Sequence, residues 1–139
     1  MPSPARPFTA AAFNQYLAEH KLMASRCPAC GTLHLPPRAI CPHCHHDAPE
    51  WVETSGRGRL AAFTVIAVPP PALAAEGFGR DNPYCAAIVE LDEGVKISAR
   101  LLGVDVKNLA SIAIGLPVTA DFIQRGEGEQ RVTLLAFRA

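Results

Sequence analysis

The sequence predicts a mainly β chain: a short N-terminal helix, a small metal-binding ribbon, then a closed five-stranded barrel. Three observations predict it. Four of the five cysteines fall in two C-x-x-C pairs, Cys27 with Cys30 and Cys41 with Cys44, separated by ten residues. From residue 56 onward, five apolar or alternating segments are divided by turns rich in Gly, Pro and acidic residues. Ahead of both lies one run of apolar residues at helical spacing.

Composition limits what such a chain can be. At 139 residues, 49% hydrophobic and 19% charged, it suits one domain, or one domain with a small appended module, and has the means to bury a core. Lys plus Arg equals Asp plus Glu at 13 each. That balance gives no support to a general polyanion binder, whose affinity comes from excess basic side chains releasing counterions. An odd cysteine count in close pairs does not read as a set of disulfide staples. Residues 1–20 lack a continuous apolar core and carry Arg6, Glu19 and His20, unlike a secretory leader. The longest uncharged stretch, residues 60–75, holds Pro69, Pro70 and Pro71 and is too short to span a bilayer. The expectation is a cytoplasmic protein that does not enter the membrane.

The elements follow in order. Residues 1–21 form an N-terminal helical segment: a proline-rich lead (Pro2, Pro4, Pro7), then Thr9 as N-cap of a helix running to about Lys21. Phe13, Tyr16, Leu17 and His20 line one stripe, and so short a helix needs a surface to pack on. Residues 22–54 form the cysteine ribbon, with Leu33-His34-Leu35 leaving the first pair and Trp51-Val52-Glu53 leaving the module. Residues 55–139 form the barrel, with strands expected near 59–68, 84–91, 95–101, 118–124 and 131–137. The third alternates cleanly, Val95, Ile97, Ala99 and Leu101 against Lys96, Ser98 and Arg100. A helical turn near residues 107–112 and the turn Gly126-Glu127-Gly128-Glu129 complete a pattern that suits the OB barrel, which leaves few open strand edges. Residues 69–83 are a long connection, of the kind that is usually functional or disordered.

The cysteines carry the plainest chemistry. A C-x-x-C turn lets two thiolates converge on one ion, and Gly31 supplies the backbone conformation such turns need. Two pairs complete a tetrahedral, closed shell, so Cys27, Cys30, Cys41 and Cys44 are expected to hold one structural Zn2+ with no open position for catalysis. The competing readings are a pair of redox dithiols, which normally come singly on a βα turn, and a mixed site using His43, His45 or His46. Cys85 stands apart in a strand and reads as a small buried hydrophobe more than a reactive thiol. No histidine is placed by sequence near Cys85 or a particular serine. Glu90, Asp92 and Glu93 sit at a hairpin turn, where solvated charges are usual. No catalytic residue is therefore assigned.

Several runs together resemble a known family. They are Arg26-Cys27-Pro28-Ala29-Cys30-Gly31, Pro36-Pro37-Arg38, Cys41-Pro42-His43-Cys44, Trp51-Val52-Glu53, Ser55-Gly56-Arg57-Gly58, and the stretch from Pro83-Tyr84 to Glu93-Gly94. In this order they resemble the zinc-ribbon/OB-fold accessory proteins of thiolases and other acyl-CoA enzymes, and the likeness covers nearly the whole chain. His45-His46 departs from the usual small residues after the second pair. The resemblance implies a rubredoxin-like zinc ribbon ahead of the OB barrel. It also implies a non-catalytic accessory subunit in a hetero-oligomer with a thiolase-like or related acyl-CoA enzyme, stabilising the partner and helping to form or bridge its acyl-CoA site. Any acyl-CoA thioester would then be met through the partner complex. Arg57, Arg59, Lys96 and Arg100 could supply cations for coenzyme A phosphates, but a solvated polar face explains each as well. Arg38 could equally bond backbone or a partner. The rival class is a single-stranded nucleic-acid binder, which needs a basic groove with stacked aromatics. Here Phe63, Tyr84, Phe122 and Phe137 are scattered one to a strand.

Overall fold

A computed structural model of the chain describes residues 6–126 and 128–139. Pro2 and Pro4 of the expected lead, and Glu127 of the expected turn, lie outside the described residues. The first helix, α1 (Ala10–Ala18), begins where the cap predicts: the Thr9 hydroxyl accepts a hydrogen bond from the Ala12 amide at 3.2 Å. It ends three residues earlier than the expected end at about Lys21. Lys21 N–H returns to the Tyr16 carbonyl at 2.9 Å, and His20 takes a left-handed conformation with φ 61. His20 therefore leaves the helix and stacks on Phe122, ring centroids 5.0 Å apart.

A three-stranded antiparallel sheet follows, formed by β1 (Met23–Arg26), β2 (Leu33–His34) and β3 (Glu50–Glu53), with β1 in the centre. The remaining strands are β4 (Arg57–Ile66), β5 (Tyr84–Leu91), β6 (Lys96–Leu102), β7 (Pro117–Arg125) and β8 (Val132–Arg138). They close as β4-β5-β6-β8-β7, and β7 pairs back to β4. Every pairing is antiparallel except β6 with β8. This is the five-stranded OB barrel the sequence predicts, and closure removes the open sheet edges.

The barrel core is apolar and continuous, with Leu60, Val89 and Phe137 among its fully buried side chains. Strand β4 explains why it reads as uniformly apolar. A bulge between Leu60 and Ala62 shifts its register against β5, so Leu60 points inward and, beyond the bulge, Phe63 and Val65 join the same core. The inserted residue exchanges faces midway and erases the period-two signature.

Helix α1 finds the surface it needs within the chain, on the barrel. Leu17 and Leu22 belong to the barrel's core cluster and Phe13 packs against it. The helix lies against β8, where β6 and β8 pair only over Arg100 to Leu102 and leave a cleft of about 320 Å³ beside Phe13. Trp51 ties the preceding segment to the ribbon. Its indole N–H donates to the Arg6 carbonyl at 2.8 Å, Phe8 stacks on its ring, and Tyr16 meets it edge-on.

The 69–83 connection is folded. It contains a single helical turn, α2 (Pro71–Ala74), and a bridge between Gly79 and Asn82. Arg125 grips the Glu76 carboxylate with two hydrogen bonds of 2.7 Å, pinning the loop to the end of β7.

Candidate metal centre and the barrel face

The two cysteine pairs fold as near copies of one another. In the first, Cys27 N–H donates to the Thr32 carbonyl (2.9 Å) and Gly31 N–H to the Cys27 carbonyl (2.7 Å). In the second, Cys41 N–H donates to the His46 carbonyl (2.9 Å) and His45 N–H to the Cys41 carbonyl (2.8 Å). The residue after each second cysteine is left-handed: Gly31 with φ 77 and His45 with φ 66. The departure at His45-His46 is thus accommodated without changing the turn. A histidine simply occupies a conformation that glycine adopts at less cost.

The four sulfurs converge. One ligand atom from each of Cys27, Cys30, Cys41 and Cys44 lies within 4.8 Å of all the others. Cys27 and Cys44 Sγ are 3.4 Å apart, and Cys30 and Cys41 Sγ are 3.6 Å apart. Tetrahedral zinc with Zn–S bonds near 2.3 Å spaces its sulfurs by about 3.8 Å, so the donor set and its dimensions fit that ion. Among the described residues, His43, His45 and His46 are not part of the cluster.

The electrostatics are those of four thiols crowded into one shell. Hydrogen bonding to Thr32, whose hydroxyl lies 3.1 Å from the sulfur, brings Cys30 down to about 6. Cys44 is pushed up to about 12: the His46 amide favours its thiolate, but contact with Cys27, burial and the two remaining sulfurs together outweigh it. Each ionisation opposes the next, and a bound dication relieves that opposition.

Two supporting residues were invisible to motif reading. Ser25, fully buried in β1, accepts a hydrogen bond from the Arg38 backbone N–H at 2.9 Å and so ties the loop between the knuckles to the sheet. Thr32 bonds the Cys30 sulfur. A hydroxyl two residues after a knuckle cysteine is the one signal that could have singled out Thr32. Cys85 lies in the barrel core, where burial raises its thiol pKa, in keeping with a small hydrophobe.

The Ser55-Gly56-Arg57-Gly58 run is the joint between ribbon and barrel. Gly56 is left-handed with φ 73, and its carbonyl accepts from Ala120 N–H at 2.7 Å. Gly58 faces β5 so closely that a Cβ there would stand 2.4 Å from the Glu90 carbonyl oxygen. Glu93, read from sequence as a solvated turn charge, accepts from Ser55 N–H at 2.7 Å. The hairpin turn between β5 and β6 is thereby held against the joint.

The structure distributes the four cations considered for coenzyme A along the outer face of β4, β5 and β6. Arg59, Glu90 and Lys96 are aligned cross-strand, so a carboxylate separates the two cations. Arg57 lies on the same face towards the joint. Arg100 sits at the other end, its guanidinium 5.0 Å from the Phe78 ring centre and 5.6 Å from that of Tyr84. Arg38 is exposed in the ribbon.

A cysteine ribbon feeding an OB barrel defines a class of small two-module chains, and comparison with known proteins gives the family. Residues 15–50 match the family model described as "ChsH2, rubredoxin-like zinc ribbon domain", and residues 51–122 match "ChsH2, C-terminal OB-fold domain". The chain belongs to this family of zinc-ribbon and OB-fold proteins, which includes DUF35 domain-containing scaffold proteins. One such scaffold protein, from Methanothermobacter thermautotrophicus, is 35% identical over 121 residues, covering 86% of this chain and 85% of that one. A probable enoyl-CoA hydratase alpha subunit from Thermomonospora curvata is 36% identical over 121 residues, covering 86% of this chain. The chain spans about a third (34%) of that relative's length. A solved structure described as "Ltp2-ChsH2(DUF35) aldolase" contains a chain with 34% identity and a TM-score of 0.74. The match covers 99% of this chain and 98% of that chain. Among the described residues no helix is long and apolar enough to cross a membrane.

Proposed function

We propose that this chain is a non-catalytic accessory subunit of an acyl-CoA-processing enzyme. In that role it stabilises a thiolase-like, aldolase-like or hydratase partner and helps to form or bridge the partner's acyl-CoA site. Cys27, Cys30, Cys41 and Cys44 hold one structural zinc ion that fixes the ribbon as a platform beside the barrel. The observation carrying this reading is the near full-length likeness, at 34% identity, to a chain of the Ltp2-ChsH2(DUF35) aldolase structure. The hydratase alpha subunit, which shares the same 121-residue unit within a longer protein, supports an acyl-CoA setting.

The chemistry of the chain agrees with that role. A four-sulfur shell has no open coordination position and serves structure more than the activation of water. The nucleic-acid alternative asks for several stacked aromatics along an open groove, yet Phe137 is fully buried, Phe63 and Phe122 pack against the barrel core, and Tyr84 packs on Phe78 and Arg100. The test is purification of the tagged full chain from its own cells. We expect an acyl-CoA enzyme near stoichiometric ratio, identified by peptide sequencing, and one zinc per chain by elemental analysis. Stoichiometric nucleic acid in place of an enzyme, or turnover of acyl-CoA thioesters by the isolated chain, overturns it.

A further inference from the structure

The outer face of β4, β5 and β6 has an organisation that folding alone does not require. Three cross-strand rows cross it. The first is Arg59, Glu90 and Lys96; the second is Ala62, Ile88 and Ser98; the third is Thr64, Ala86 and Arg100. Apart from Arg100, the second and third rows are small or apolar, and Ala62, Ile88, Ser98, Thr64 and Ala86 line a shallow depression of about 250 Å³, with Ile88 43% exposed. A β-branched apolar side chain held in water among alanines gains nothing for the barrel, whose core lies on the opposite face.

Arg100 makes the case sharper. Arg6, Arg26, Arg125 and Arg138 each pair with a carboxylate of this chain. Among the described residues, half-buried Arg100 makes neither an ion pair nor a side-chain hydrogen bond. Phe78 and Tyr84 instead hold its guanidinium beside the apolar rows, leaving its N–H donors without a carboxylate. The loop that carries Phe78 is clamped by Glu76 to Arg125, so this stacking is pre-organised. An arginine stacked on aromatics, at the edge of a small apolar patch, is the side-chain pattern of interface anchors. Charge is also lopsided here. In a chain of zero net charge, this face shows four cations (Arg57, Arg59, Lys96, Arg100) against two carboxylates, Glu90 and Asp92. Its complement is an acidic surface. The depression around Ile88 is smaller than the clefts that enclose small ligands, about 300–1,000 Å³, although a cleft of about 550 Å³ beside Arg59 and Glu90 adjoins it.

We propose that this face docks onto an acidic, apolar-centred patch of the enzyme partner, with a partner carboxylate on Arg100 and Ile88 packed at the centre. The proposal rests on the accessory-subunit reading. Phe78, Tyr84 and the clamped 69–83 loop position Arg100 for that contact.

The test uses the full-length, zinc-loaded chain and the acyl-CoA enzyme that co-purifies with it. Ile88→Asp and Arg100→Glu are each expected to weaken binding about tenfold or more, as loss of an interface anchor does. Arg100→Lys, which keeps charge but loses the fork and the stacking, should fall between them and wild type. Leu109→Asp, a still more exposed apolar position outside the face, should stay within about twofold, as rim and off-site positions do. Wild-type affinity in both Ile88→Asp and Arg100→Glu, with melting curves unchanged, overturns the docking face and leaves the accessory role standing. If those variants retain the enzyme but lose binding of free coenzyme A by the chain, the face is a small-anion site and the proposal fails. If the wild-type chain retrieves no acyl-CoA enzyme, the accessory role falls, and the docking face with it.

Discussion

The barrel buries Phe137, Leu60 and Val89 completely, whereas the ribbon's fully buried side chains, Ala24, Ser25 and Cys27, are small. Two parts of one chain are therefore held by different physics. The barrel closes around apolar surface, a driving force that every strand shares. The ribbon has three short strands, little apolar volume and four converging thiols. In such a module the metal's binding energy is folding energy. The difference also suits a division of labour, in which a self-sufficient barrel carries a second module whose shape depends on an ion.

Removing the metal should separate the two most strongly. With a strong chelator, ribbon amides around Cys27 and Cys41 are expected to lose hydrogen-exchange protection, while those of Val89 and Phe137 stay protected. Collapse of protection in both modules would show that they fold as one unit. Next in size, Phe137→Ala should cost about 3–5 kcal/mol in denaturant unfolding, the usual loss for a buried phenylalanine. Zinc per folded molecule should remain one, because the residue lies outside the ribbon. Gly58→Ala tests the joint: its Cβ would collide with backbone at 2.4 Å, so a loss of about 1–3 kcal/mol or more is expected, as for overpacking. A stability within error of wild type would mean that β4 and β5 can part there freely. The smallest effect belongs to the second knuckle. His45→Gly relieves a left-handed histidine and should stabilise the zinc-loaded ribbon by up to about 1 kcal/mol, read as slower zinc release to a chelator. Faster release would show that the imidazole supports the site.

Legibility from sequence followed the range of the interactions. The Thr9 cap and the two knuckles are contacts over three or four residues, so they could be read directly. The span of β5, Tyr84–Leu91, was read to the residue because it is an apolar run bounded by Pro83 and the turn Asp92-Glu93-Gly94. His20 was misplaced by a stripe that outlasts the helix: past the helix end its ring stacks on Phe122, about a hundred residues away, a contact that local spacing does not carry. The 69–83 loop looked unfinished because its clamp, Glu76 on Arg125, joins residues 49 apart.

By itself the sequence determined that four thiols would meet, that a helix would start at Thr9, and that five strands would form a small closed barrel. Knuckle turns, caps and alternation are local, and local geometry is encoded in neighbouring residues. Only the tertiary structure decided which way β4 faces on either side of its bulge, why Gly58 must lack a side chain, and where Arg100 points. Those outcomes depend on strand register, and register is a property of two distant segments at once.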